Sequence, residues 1–287
     1  MHDVPTLEKI DYQIRRTPAL PYTKGNLIMD DSSELFEPIE HDSVADAVVE
    51  QIEELIVTGV LREGRRLPSE RELAEMMGVS RPKLREALKR LEARNLVTVR
   101  HGEGSFIAPL VGNAMSPALS ELYARHGAAL FDYLEYRREQ EGFAAELAAI
   151  RATGVDRELI QSIVEGMKEA NAIGDESAEL KSDIDLHSAI VDASHNSMLI
   201  HMMASIYDLT RKGVFFNRKH LRENDADGTR LLGQHVAIAD AILNHDQAGA
   251  RSAARAHIDF VEATLRVGIE AERRENIAKK RRVIQEI

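Results

Sequence analysis

The chain has 287 residues, of which 44% are apolar and 30% charged, with a formal net charge of −11 and neither cysteine nor tryptophan. That length suits two domains with a sizeable core, and the composition is that of an ordinary globular protein. Without cysteine there is no disulfide, no thiol chemistry and no thiolate-held zinc. No apolar run is long enough for a bilayer and the first residues lack a charged-then-apolar leader, so a cytoplasmic protein with no membrane partner is expected.

The charge is unevenly spread. Met1 to Glu54 hold four bases and thirteen acids, whereas Arg62 to Glu103 hold eleven Lys/Arg against seven Asp/Glu. A basic module between acidic segments suits a nucleic-acid reader whose other parts stay off the phosphates.

Residues 1–40 show no sustained periodicity, are punctuated by Pro5, Pro18, Gly25, Pro21 and Pro38, and read as a flexible arm. From Ser43, a plausible N-cap, to Thr58, the residues Val44, Val48, Ile52, Leu55 and Ile56 recur at helical spacing. Gly59 to Arg66 reads as a turn region. A second helix starts at Ser69, with Glu72 as its capping-box partner and Leu73, Met76 and Met77 as its buried face.

Gly78 can take the left-handed backbone that ends this helix, Ser80 is placed to accept from the orphan amides of the next, and Pro82 falls in a first turn where its missing donor is harmless. The third helix, about Ser80 to Arg94, puts Leu84 and Leu88 on one face and Arg81, Lys83 and Arg85 elsewhere. A short helix, buried on one side and cationic on the other, following another short helix is how a helix-turn-helix meets the major groove. The period then changes to two at Val97, Val99, Phe106 and Ala108 around His101-Gly102-Glu103-Gly104, which predicts a hairpin wing.

From Pro117 onward the pattern is helical throughout, with helices expected near 116–126, 128–152, 155–173, 176–195, 197–217, 228–245 and 247–275. The fold class is therefore mainly α. A winged helix-turn-helix of three helices plus a β-hairpin occupies 41–110, an all-α helical bundle 111–275, and a charged tail 276–287.

One helix carries an anomaly. Asp183 and His187 complete the apolar stripe of Leu180, Ile184, Ile190 and Val191, so they face inward one above the other. His235 lies in line with Leu231, Ile238 and Ile242, and His257 with Ala250, Ala254, Val261 and Leu265. Buried carboxylate and imidazole need partners, and the economical account is convergence on a divalent metal ion. Asp plus three His suits zinc, nickel, manganese or iron(II), with coordination positions left for water or a ligand carboxylate. Asp185 falls on the opposite face and is the weaker candidate. A structural cluster without metal and a metal-dependent hydrolase remain alternatives.

The runs Leu67-Pro68-Ser69-Glu70-Arg71-Glu72-Leu73-Ala74, Gly78-Val79-Ser80-Arg81-Pro82-Lys83-Leu84-Arg85-Glu86-Ala87-Leu88 and Leu91-Glu92-Ala93-Arg94-Asn95-Leu96-Val97 resemble the winged domain of the GntR family of bacterial transcription regulators. The helical remainder, with Glu135-Tyr136-Arg137 and Glu141, is similar to the FCD effector domain of the FadR-type subfamily. The resemblance implies a homodimeric regulator, most simply a repressor, that binds a pseudo-palindromic double-stranded operator and responds to a small carboxylate. It implies DNA contacts from Arg71, Arg81, Arg85, His101 and Gly102, with Ser80 and Lys83 on phosphate or adjacent bases. It also implies an effector contact from Arg137, for which an exposed salt bridge to Glu141 is the alternative; Arg138 and Arg211 are weaker options.

Overall fold

A computed structural model describes residues 44–110, 117–125, 127, 129–211 and 228–285, and the structural statements below concern these residues. The expected arm over 1–40, the Ser43 cap, the end of the 197–217 helix and the connector before Gly228 lie outside them.

Helix α1 (Val44–Val57) buries Ala45, Val48, Val49, Ile52 and Ile56, the inward stripe of an amphipathic helix. In α2 (Glu70–Met76) the capping box is complete: Ser69 Oγ accepts from the Glu72 amide at 3.3 Å, and the Glu72 carboxylate accepts from the Ser69 amide at 3.0 Å. Ala74 is buried while Met76 is 72% exposed, a correction to the expected face. Leu73, Ala74 and Met77 share one arc of this two-turn helix, and Met76 falls outside it.

Gly78, at φ +64°, turns the chain into α3 (Arg81–Ala93), which buries Leu84, Ala87, Leu88 and Leu91. Ser80 stands at the N-cap, yet its side chain makes no capping bond. A cap hydroxyl accepts from the second or third helical amide, and here the second is Pro82, which has none.

Strands β1 (Val97–Arg100) and β2 (Gly104–Ile107) pair antiparallel with Val97 opposite Ile107 and Arg100 opposite Gly104. The stretch read as a turn also joins this sheet. Arg66 bridges to Phe106, Leu67 donates to the Ser105 carbonyl and Ile107 to that of Arg65, so the outer edge of the hairpin is covered. Leu67, Val97 and Ile107 join the helices in one core.

The second part contains α4 (Pro117–Arg125), α5 (Ala129–Arg151), α6 (Gly154–Ile173), α7 (Glu176–Ala193), α8 (Ser197–Arg211), α9 (Thr229–Leu243) and α10 (Gln247–Gln285). Helix α5 is central and packs on α7, α8, α9 and α10. Its buried Ala144, Ala145, Ala148 and Ala149 let neighbouring backbones approach closely. Thr153 and Asp156 form a capping box on α6, Gly174 closes that helix with a left-handed backbone, and Asn196 Oδ1 accepts from the Leu199 amide to start α8. Helix α10 runs ten residues past its expected end, and residues 271–284 are exposed, laced by Arg273 and Arg274 to Glu270 and by Lys279 to Glu275.

Both parts lie in one compact unit, Asp42–Ile287, and the turn after α1 joins them. Arg62 pairs with Asp192 at the end of α7, while its Nε donates to the Gly59 carbonyl at 3.0 Å. His201 Nε2 on α8 lies 3.2 Å from the Val57 carbonyl and donates to it. Gly59 has φ +77°, and a β-carbon there would stand 2.5 Å from Ile200 Cγ2. Gly64 has a similar φ, +74°, but open space around it. Both Gly→Ala changes therefore carry the left-handed backbone penalty of about 1 kcal/mol. Gly59→Ala alone must also displace Ile200, so thermal unfolding of the full chain is expected to show a clearly lower Tm for Gly59→Ala than for Gly64→Ala. Equal Tm values would mean that the turn does not seat on α8.

Candidate metal centre and DNA-binding face

All seven residues expected at DNA, namely Arg71, Ser80, Arg81, Lys83, Arg85, His101 and Gly102, are exposed, so no guanidinium among them is locked inside the protein. Gly102 sits in the wing turn at φ +77°. Three of the cations have acidic neighbours. Arg71 reaches Glu75 at 3.2 Å and Lys83 reaches Glu86 at 2.9 Å, each within one helix. Arg85 on α3 is held by Glu70 on α2 through both Nε, at 3.2 Å, and Nη2, at 2.8 Å. Such exposed pairs add little stability; they set where the side chains lie. Arg100 at the wing stacks 4.3 Å over the Phe106 ring.

The three histidines converge. His187 from α7, His235 from α9 and His257 from α10 are each at most 4% exposed. One nitrogen from each lies within 4.8 Å of the others. Ring centroids are 4.4 Å apart for His235 and His257, and 5.2 and 5.3 Å for His187 with each of them. Asp183 is not part of that three-ring group: its side chain is 29% exposed and it reaches the cluster through His235 alone, with Oδ1 3.2 Å from His235 Nε2. Although it is four residues from His187, it meets the α9 ring rather than its helix neighbour.

Sequence reasoning missed the outer partners. Glu141 on α5 accepts from His187 Nδ1 at 2.8 Å, and Gln234 Oε1 accepts from His257 Nδ1 at 3.0 Å. These bonds place the proton on Nδ1 and leave the Nε2 lone pair of each ring for the centre, as outer partners of metal-bound imidazoles do. Glu141 carried a readable signal, being a carboxylate on the alanine-rich inner face of α5. Gln234 carried none, since it differs from any surface glutamine only by standing beside His235.

Arg137 is not on the surface. Its side chain is 12% exposed, its Nε donates to Glu141 at 2.6 Å, and it lies 5.6 Å from the Tyr133 and Tyr207 rings. The expected i,i+4 pair is therefore present but enclosed. Glu141 engages Nε alone, leaving four of the five guanidinium N–H groups for other acceptors. Arg138 pairs with Glu139 and Asp259 near the surface, and Arg211, exposed, approaches Ser188 at 3.4 Å. Asp185 pairs with Lys181, away from the histidines.

The electrostatics agree with this arrangement. Burial resists ionisation of Glu141, yet Arg137 and His187 hold its carboxyl well below the usual range. Asp183 is likewise held low, against burial, by His235. Burial pushes His257 well down, helped by the neighbouring His235 and His187, so this ring is a neutral lone-pair donor. Burial also disfavours charge on His187, but Glu141 outweighs it and holds the ring above the usual imidazole range.

Three observations fit a metal ion. His187 Nε2 and both His235 nitrogens are buried without hydrogen-bond partners, a costly condition for imidazole that an ion would relieve at His187 Nε2 and at one nitrogen of His235. Ligand atoms about 2.1 Å from one ion stand about 3.0–3.5 Å from each other, and the Asp183–His235 approach is of that size without hydrogen-bond alignment. A set of three imidazoles and one carboxylate is a donor set for borderline divalent ions. A cavity of about 10 Å³, lined by Glu141, His187, Tyr207, Ala144, Ile190 and Ala254 among others, adjoins the His187 ring.

Comparison with known proteins adds the family. Residues 44–107 match "Bacterial regulatory proteins, gntR family", and residues 132–260 match the FCD domain. An Escherichia coli protein named provisionally as the L-lactate dehydrogenase operon regulatory protein is 36% identical over 78% of this chain and 86% of its own. The E. coli Glc operon transcriptional activator is 34% identical over 79% and 90%, respectively. A solved structure of Streptococcus agalactiae GntR covers 76% of this chain and 98% of its own at 26% identity, with a TM-score of 0.45. The chain belongs to the GntR family of bacterial transcription regulators, in the group with an FCD effector domain. Its members are regulators, which removes the hydrolase alternative.

With a metal bound, protein purified without chelator or nickel resin is expected to hold about one divalent ion per chain by elemental analysis, and His257→Ala to hold almost none. Gln234→Ala, which removes only the acceptor behind His257, is expected to weaken metal affinity about 10- to 100-fold. His235→Leu is expected to make the Tm insensitive to chelator. A metal-free, structural cluster would instead give a wild-type Tm unmoved by chelator.

Proposed function

We propose that this protein is a metabolite-responsive repressor that binds a pseudo-palindromic operator as a homodimer and senses a small carboxylate at the metal held by Asp183, His187, His235 and His257. The observation that carries the sensing half is the buried cluster of three imidazoles, in which His187 Nε2 and both His235 nitrogens lack partners. Bound there, the ion would supply Lewis-acid coordination for an acid's oxygens. Arg137, enclosed beside Glu141, offers its remaining N–H groups to a ligand carboxylate, for which guanidinium geometry is suited. A relative named for an L-lactate dehydrogenase operon puts 2-hydroxy acids first among candidates.

At DNA, Arg81 and Arg85 lie in or over the major groove, where arginine reads guanine O6 and N7 with two bonds. Arg71, Ser80 and Lys83 meet phosphates or neighbouring bases, and His101 with Gly102 brings the wing to the minor groove. Dimerisation places two recognition helices one helical turn apart on the operator. Differential affinity of the effector for two placements of the winged domains, with a coupling of about 1–3 kcal/mol, changes operator affinity.

The test is selection of duplexes from a random pool by the full chain, followed by fluorescence anisotropy. A two-fold symmetric sequence is expected to emerge. Arg81→Ala is expected to weaken selected over scrambled DNA by about 1–3 kcal/mol. Lactate, pyruvate, citrate and sugar acids are then titrated against the metal-loaded and the chelator-stripped protein. At least one acid is expected to shift operator affinity only when metal is loaded. No response to any acid in either form would overturn carboxylate sensing, and no selected sequence would overturn the DNA-binding assignment.

A further inference from the structure

The structure assigns a role to Glu70 that rests on the DNA-binding reading above: we propose that it is a positioning residue, which grips the inner edge of the Arg85 guanidinium and presents the outer edge to a guanine. Glu70 stands in the first turn of α2 and Arg85 on α3, fifteen residues away, so their contact ties a recognition side chain to the other helix of the pair. The Arg71–Glu75 and Lys83–Glu86 pairs lie within single helices and leave each cation free to swing with its own helix.

The atoms used matter more than the ion pair itself. Both Glu70 oxygens face Arg85 Nε, at 3.2 and 3.4 Å, and Oε2 also takes Nη2 at 2.8 Å. A guanidinium has five N–H groups in a rigid plane. Glu70 occupies those of Nε and the near side of Nη2. The opposite edge, formed by Nη1 and the second Nη2 hydrogen, meets no partner among the described residues. That edge carries the two parallel donors that fit guanine O6 and N7. A carboxylate that hid Arg85 from DNA would have to sit on this outer edge. Gripping the inner one restricts the rotamers of a long side chain before DNA arrives and lowers the ordering cost of the base contact. Glu70 also feels the charge of Arg81, one turn earlier on α3.

Positioning and plain electrostatics predict opposite outcomes. Removing an acid beside the phosphates by itself strengthens binding to any sequence; removing a brace weakens discrimination at one base pair. The experiment compares wild type, Glu70→Gln, Glu70→Ala, Arg85→Ala and the Glu70→Ala/Arg85→Ala double variant by anisotropy. The probes are the duplex selected by the wild-type full chain, its single-base variants and a scrambled duplex. Glu70→Ala is expected to lose about tenfold in preference at the base pair that Arg85→Ala also relaxes, while its affinity for scrambled DNA stays equal or rises. Glu70→Gln, which keeps one acceptor oxygen, is expected to fall between, and it carries the test if the alanine variant does not fold. In the Arg85→Ala background, Glu70→Ala is expected to change nothing further at that base pair. Equal tightening on every duplex, or unchanged discrimination, would overturn the positioning role. A wild type that selects no sequence would overturn the underlying DNA-binding reading instead.

Discussion

Burial of His187, His235 and His257 within reach of one another is the constraint around which the effector domain is arranged. Imidazole nitrogens lose water on burial and must be repaid by partners. Two of the rings find an acceptor for Nδ1, Glu141 from α5 and Gln234 from α9, which turns the opposite nitrogens toward one point. Helices α5, α7, α9 and α10 thereby share one polar knot, and a rotation of any of them would break a bond that the apolar contacts alone would not notice. Around it the packing is ordinary: Ala144, Ala148, Ile190, Ile238 and Ala254 are small or branched and fill the space between the helices.

Helix α7 links this centre to the rest of the chain. Asp183 and His187 lie in its middle, and Asp192, five residues beyond His187, pairs with Arg62 from the turn that leaves α1. Five helical residues span about 7.5 Å, so the centre and the junction stand on one short rigid rod. The α7–α8 corner adds Ile200 against Gly59 and His201 on the Val57 carbonyl. Helices α7 and α8 therefore touch both the histidine centre and the turn that leaves α1, with no long relay of side chains between them.

Much of this was legible in the residues. The winged domain announced itself through caps and turns, because Ser69, Gly78 and Pro82 act through local backbone chemistry that spacing records. The histidines were legible because polar groups interrupted apolar stripes on three helices. What spacing could not show was which faces would meet. Asp183 was read with His187 because four residues separate them, yet its closer neighbour is His235 on another helix. The environment of Arg137 was open for the same reason: the i,i+4 pair with Glu141 was visible, but its enclosure depends on Tyr207 brought from α8 to face Tyr133, one turn away on α5 itself. Ser80 shows a different limit, where a sound capping rule met a proline at one of the two amides it could use.

A net charge of −11 works against binding a polyanion, and the winged domain shows how the two are reconciled. Its acids do not form a separate face; several sit directly behind the cations that would touch DNA, as Glu70, Glu75 and Glu86 do. Each such pair reduces the long-range field that draws a protein to any phosphate backbone. The pair that crosses from α2 to α3, Glu70 with Arg85, also holds a long side chain in one place, which matters only where that place coincides with a base edge or a phosphate. Weak attraction to arbitrary sequence combined with ordered donors favours a ratio of affinities over raw affinity, and it is the ratio that a regulator must secure against a genome of competing sites.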